Sequence, residues 1–293
     1  MMGALGTLLF FAVTPVFANR AAHLLGSLRA NFWRLAVAAV LLGAWAHLAG
    51  GGWTGPALPW FVGGGVVGFG VGGVAMFQSL PRLGSNLSTL IVQCGSAIVA
   101  ASVEWLWLGT RLSALQLICV ALTLAGVSLG LFPFEAEPAR PGAWRAGVAW
   151  AFLSAVGQGV GAVISRKAFM VAAAAHAPVD PGTAAYQRVI GGLVVAWLVY
   201  RLVRPRAPLM RDLPTAWPWV TANALTGPVL GVTCFQWALR STPAGIVQPI
   251  VAAAPLLTIP FALWLEGARP RWSYCAGAVL AVAGVAGLMT WRG

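Results

Sequence analysis

The stretch whose meaning decides the fold is "WFVGGGVVGFGVGG", Trp60 to Gly73. Seven of its fourteen residues are glycine, and GFGVGG, Gly68 to Gly73, matches the dinucleotide fingerprint G-x-G-x-x-G letter for letter. A phosphate loop of that type follows a strand, opens a helix and is followed by an acid about 20 residues on. Here apolar residues run through both ends, and no acid occurs between Trp60 and Glu104. The nucleotide interpretation therefore lacks its context. The other use for a bare backbone is close approach between helices. Gly64, Gly68 and Gly72 recur at spacing four and form a small-residue stripe that lets membrane helices pack closely. Gly65 and Gly73 widen it.

Composition supports a lipid solvent. The chain of 293 residues is 59% hydrophobic and only 8% charged, against about a quarter charged in soluble domains. Its net charge of +12 is spread singly between apolar runs rather than clustered, which fits juxtamembrane anchoring and not nucleic-acid binding. Of the cations only Lys167 is lysine. Cys94, Cys119, Cys234 and Cys275 sit inside apolar runs without C-x-x-C spacing, so neither a disulfide framework nor a metal site is expected. The start lacks a positive n-region and reads as a first span rather than a signal peptide.

Ten apolar runs are long enough to be spans. They are Gly3–Ala18, Phe32–Ala49, Leu58–Leu80, Ser85–Leu108, Ala114–Phe132, Ala143–Ile164, Ala184–Val203, Ala216–Leu239, Ala244–Leu265 and Trp272–Trp291. Trp residues gather near their ends, at headgroup depth. A shift of 158 residues lays Phe77-Gln78 on Phe235-Gln236, Arg82 on Arg240, and Ala125-Gly126-Val127 on Ala283-Gly284-Val285. With smaller offsets, "FWR" ending at Arg34 falls on "YQR" ending at Arg188. So many matches in one order indicate duplication. The expected units are a five-helix repeat over 1–133, a connecting loop over 134–142 and a second five-helix repeat over 143–293. Five is odd, so the halves enter the membrane in opposite senses. The fold class is an all-α polytopic membrane protein with ten transmembrane helices in two inverted repeats, the plan of secondary transporters.

Spans 3 and 8 stand out. Span 8, "TANALTGPVLGVTCFQ", carries Gly227, Pro228 and Gly231, with Gly231 on the repeat position of Gly73. Pro228 removes a helix hydrogen bond, and each glycine disfavours a helix interior by about 1 kcal/mol. These two spans form either a deformable pair that flexes as access alternates or plain tight packing.

Polar side chains inside spans are costly and face the bundle interior. The candidates for a substrate cavity are Gln93 and Gln158 in mid-span, then Gln78, Gln236, Asn223 and Gln248. Each has an interhelical hydrogen bond as its structural alternative. No acid sits mid-span. Proton-coupled cation export wants one, so the substrate is expected to be neutral or zwitterionic, with Glu104, near a span end and headgroup depth, the sole candidate proton carrier. No G-x-S-x-G, H-E-x-x-H or paired carboxylates occur, which argues against an enzyme, and no cofactor or metal is expected.

"NFWRLAVAAVLL" (Asn31–Leu42), "LWLGTRLSALQLICVALTLAGVSLG" (Leu106–Gly130) and "PLLTIPFALWLEGARPRWSYCAGAVLAVAGV" (Pro255–Val285) resemble the drug/metabolite transporter superfamily, EamA branch. The resemblance covers nearly the whole chain. It implies ten helices in two inverted repeats and export or exchange of small metabolites, often amino acids, by a monomer in the cell membrane. Pro255 matches the family's proline in span 9, and Arg34 and Arg188 match its arginine at the start of spans 2 and 7. The family's "GE" pairs are replaced by Gly109-Thr110 and Gly267-Ala268. The resemblance implies cytoplasmic termini. Charge counting implies the reverse, with twelve cations on the connections after spans 1, 3, 5, 7 and 9 against six opposite. Two rival functions are a lipid-carrier flippase on the same fold and an intramembrane enzyme.

Overall fold

The computed structural model describes residues 1–132, 141–203, 212–257 and 272–290. They are almost entirely helical. The first half comprises α1 (Met2–Leu25), α2 (Ser27–Leu48), α3 (Leu58–Gly65), α4 (Gly72–Val103) and α5 (Ala114–Leu131). The second comprises α6 (Pro141–Ala174), α7 (Pro181–Val203), α8 (Asp212–Ala224), α9 (Val232–Ser241), α10 (Ala244–Ala252) and α11 (Trp272–Thr290). Among the described residues eight helical segments are long and apolar enough to cross a membrane. The places of the expected eighth and ninth spans hold the interrupted helix α8–α9 and the shorter apolar helix Ala244–Leu257. The rest of the expected ninth span, the adjoining Glu266 and most of the connecting loop lie outside the described residues.

Local chemistry sets the breaks. Gly26, at φ 81°, ends α1 and starts α2 in a conformation that side chains resist. Gly109, at φ 71°, closes the helical run after α4. Ser113 and Gln116 form a reciprocal capping box that starts α5. One expected break is missing: helical hydrogen bonding continues through Pro81 and on to Val103 instead of opening a loop between spans 3 and 4. The membrane-length pieces there are Leu58–Leu83 and Leu87–Leu108.

Two interruptions carry the fold's main irregularity. The helix runs wide, with π geometry, at Val66–Val71 between α3 and α4 and at Leu225–Gly231 between α8 and α9. They fall on corresponding positions of the repeat. A third π segment, Glu104–Leu108, ends the α4 rod.

The halves pack by exchange. Helix α1 meets α8 while the α3 rod meets α6, and α3 meets α7 while α2 meets α8. Helix α4 packs along α6, and α1 touches α10. Two pairs of repeat mates meet each other directly, α2 with α7 and α5 with α11. Both run antiparallel. Phe32, early in α2, stacks on Tyr200, late in α7, at 5.2 Å between centroids, while Trp45 near the end of α2 donates to Asp180 Oδ1 at the start of α7. In the other pair a side-chain carbon on Gly126 would stand 2.5 Å from Gly277 O, and one on Gly284 would stand 2.7 Å from Cys119 O. Helices that approach so closely need glycine.

The glycine stripe lies in such a seam. A side-chain carbon on Gly64 would lie 3.2 Å from Gly161 O, one on Gly72 would lie 3.3 Å from Ser154 O, and one on Gly161 would lie 2.9 Å from the Gly68 backbone. Helix α6 therefore slots along the stripe. Gly65 and Gly70 point the other way, to Arg188 and Val195 of α7. The largest buried cluster, built around Phe61, Phe169, Leu239 and Ile250, joins both halves.

Candidate functional site

A cavity of about 280 Å³ lies between the halves. Its lining comes from α1 (Phe11, Thr14, Pro15), α2 (Arg34), the two π segments (Gly68, Phe69, Gly227, Pro228), α4 (Gly73, Phe77, Gln93), α6 (Gln158), α7 (Arg188) and α10 with its continuation (Gln248, Pro255). Most of the wall is apolar. Among the described residues the polar side chains on it are Thr14, Thr89, Gln93, Gln158, Gln248, Arg34 and Arg188, with no Asp or Glu.

Of the amides expected from sequence, Gln93, Gln158 and Gln248 reach this wall. Gln158 donates to Ser154 Oγ at 3.2 Å, and Ser154 donates on to Gly72 O at 2.8 Å, which anchors α6 to the start of α4. The other three stand off the wall. Gln78 accepts from Arg82 at 2.9 Å on its own helix. Asn223 is buried beside the π segment Leu225–Gly231, with neither amide atom partnered among the described residues. Gln236 is buried one step behind the cavity, and its Oε1 accepts from Arg188 Nη1 at 3.4 Å. Gly68, Gly73, Gly227, Pro228 and Pro255 line the cavity. Gly64, Gly72 and Gly231 serve helix contacts, Gly231 against Phe11.

Glu104 is elsewhere. Sequence position suggested headgroup depth, but the side chain is 2% exposed and accepts from Gly245 N at 2.8 Å. It caps the start of α10, where exposed backbone N–H groups favour a carboxylate. It does not line the cavity.

The two arginines are what sequence reasoning missed as cavity groups. Arg188 is 5% exposed. Its Nη1 donates to Ser165 Oγ at 3.0 Å and to Gln236, and the rings of Phe69 and Phe235 lie 5.2 and 5.6 Å from its guanidinium carbon. Arg34 donates from Nε to Asn31 Oδ1 at 3.0 Å, with its guanidinium 5.6 Å from the Phe77 ring. The pattern repeats: Arg34 and Phe77 are the repeat mates of Arg188 and Phe235. That shared "R … FQ" order was the available signal. In the sequence alone, both arginines look like loop cations at span ends.

One rim of the molecule is stitched by polar contacts. Besides the Trp45–Asp180 bond at 3.1 Å, Gly51 N donates to Thr183 Oγ1 at 3.1 Å and Gln187 Nε2 donates to Gly52 O at 3.0 Å. At the other end the cavity wall reaches Ala18 and Ala22 late in α1 and Leu80 late in the expected third span. Aromatic contacts, Phe32 on Tyr200 and Trp33 on Trp217, flank that end. Among the described residues no group of three or more His, Cys, Asp or Glu comes together to hold a metal ion.

A family model described as the EamA-like transporter family matches residues 1–132 and again 145–290. No curated protein matches. One solved crystal structure superposes with a TM-score of 0.77 over 98% of this chain and 95% of its own, at 18% identity, which is a likeness of fold.

Proposed function

This chain belongs to the EamA-like transporter family, and from that premise we propose that it carries small metabolites, amino acids foremost, across the cell membrane by alternating access. The moving parts are two inverted five-helix repeats, ten spans in all, with units at 1–133 and 143–293. The observation that carries this reading is the antiparallel meeting of repeat mates, α2 with α7, beside a cavity lined from both halves. Mates that run in opposite directions are what a duplication across an odd number of spans produces. A shared cavity between them is where such proteins hold their cargo.

Chemistry favours a transporter over an enzyme. Among the described residues the cavity wall has no carboxylate to act as base and no hydroxyl next to a histidine. Gln93, Gln158 and Gln248 supply adaptable hydrogen bonds instead. The π segments Val66–Val71 and Leu225–Gly231 are the proposed bending points, because wide helical turns weaken the local ladder and recur at functional sites.

The test is counterflow in proteoliposomes loaded with one amino acid and challenged with a labelled panel of amino acids, nucleosides and vitamins. Saturable exchange of at least one small solute is expected, and Gln93→Ala with Gln158→Ala should weaken it. Scrambling of a labelled lipid in place of solute exchange would favour the flippase, and exchange of neither would end the transport proposal. The protein is expected to work as a monomer with cytoplasmic termini.

A further inference from the structure

The transporter reading leaves the recognised chemical group open, and the arginine on the cavity wall narrows it. We propose that the cargo is an organic acid whose carboxylate binds the free edge of Arg188 and whose apolar or aromatic body lies among Phe11, Phe69, Phe77 and Phe235. A cationic amine on the same molecule is not required.

Arg188 presents its donors unequally. Nη1 is committed to Ser165 and Gln236. The rings of Phe69 and Phe235 lie 5.2 and 5.6 Å from the guanidinium carbon. What remains is the edge formed by Nε and Nη2, the side-on fork that matches two carboxylate oxygens. Nε is fully buried and has no hydrogen-bond partner among the described residues. Nη2 points at Gly68, where a side-chain carbon would come within 2.8 Å of it. Glycine in the π segment thus leaves room for the guanidinium, and a side chain there would press on its Nη2.

Charge completes the case. A guanidinium held away from water needs a counter-charge to offset its desolvation. Among the described residues the wall offers Arg34 and Arg188 but no carboxylate. Glu104 stands off the cavity wall, its Oε2 on the α10 backbone and its Oε1 without a hydrogen-bond partner among the described residues, and Asp180 is held by Trp45 and Thr183 at the rim. An entering acid supplies the missing anion. By the same count, among the described residues an ammonium group meets amide and hydroxyl oxygens and phenylalanine rings but no counter-charge, set against two positive charges. The cavity is smaller than a drug-sized site of ~300–1,000 Å³, so the acid must be small.

This inference rests on the same cavity as the transporter reading but is tested separately, by binding. The full chain in detergent is heated in the presence of 3-phenylpropanoate, phenylalanine, 2-phenylethylamine, 3-phenylpropanol, hexanoate or hexylamine. The acids should raise the unfolding midpoint, 3-phenylpropanoate at least as much as phenylalanine, and the amines and the alcohol should not. Arg188→Gln should weaken acid binding about tenfold or more, while Arg188→Lys should retain a preference for acids at reduced affinity. Gly68→Ala gives an independent variant if Arg188→Gln does not fold, and should weaken acids selectively. The proposal is overturned if no acid binds, if the amines or the alcohol bind as well as the acids, or if Gly68→Ala and Arg188→Gln leave acid binding intact. Binding of acids without counterflow would sink the transporter reading alone. Counterflow without acid preference would sink this one alone.

Discussion

Gly65 and Gly68 sit one helical turn apart, yet their substitution should have opposite consequences. A methyl at 65 would fall on the Arg188 carbonyl oxygen, which is backbone and cannot yield without parting α3 from α7. Gly65→Ala should therefore cost about 1–3 kcal/mol by overpacking, visible as a lower thermal midpoint. A methyl at 68 meets the tip of the Arg188 side chain rather than backbone. Gly68→Ala should change stability little and change ligand affinity more. Asp180 gives a third expectation at this scale. Partial burial works to raise its pKa, but hydrogen bonds from Thr183, Trp45 and Gly182 outweigh it and hold the carboxyl below its usual range. A lowered folded pKa means the stabilisation is present above the unfolded value of about 3.9 and is lost as pH falls through the folded one. Acid titration of the folded protein should show this loss below about pH 4, and Asp180→Asn should lack it. The glycine spacing was legible in the sequence because a four-residue period survives any offset. The role of Arg188 was not, because it depends on which side chains surround "YQR", and those come from spans 3, 6 and 8.

At the level of elements, the two π segments occupy matching places in the two halves and both line the cavity. If they are the bending points, amide hydrogen exchange over 66–73 and 225–232 should be faster than in the neighbouring turns of α3, α4 and α9. Equal protection across those stretches would leave only the packing role that glycine also serves. Pro228→Ala should restore a hydrogen bond, slow exchange locally and reduce counterflow more than binding. Composition pointed to these spans through glycine and proline. It could not reveal π geometry, which is one extra residue per wide turn and leaves no mark on an apolar pattern. The continuous helix past Pro81 was hidden for a similar reason. A proline and a polar cluster normally signal a loop, and here the helix tolerates them.

For the whole molecule, the duplication was readable because the match at 158 residues holds over several spans without a gap. Its geometric expression is that contacts exchange between the halves, with α2 against α7 and α5 against α11. Repeat mates at connections should then lie on opposite membrane faces. Arg82→Cys and Arg240→Cys, labelled from outside intact cells by a membrane-impermeant maleimide, should react in only one case. Reaction of both would mean that the halves are not inverted. The polar rim where Trp45 meets Asp180 and Gly51 meets Thr183 has its own corollary. Each of those donors and acceptors, once separated, can be rehydrated on the spot, so undoing this clasp exchanges one set of hydrogen bonds for another at little net expense. A closure of that kind behaves as a latch the surrounding solution can release, whereas the ring-on-ring contacts at the far end would have to surrender apolar surface to water before they parted.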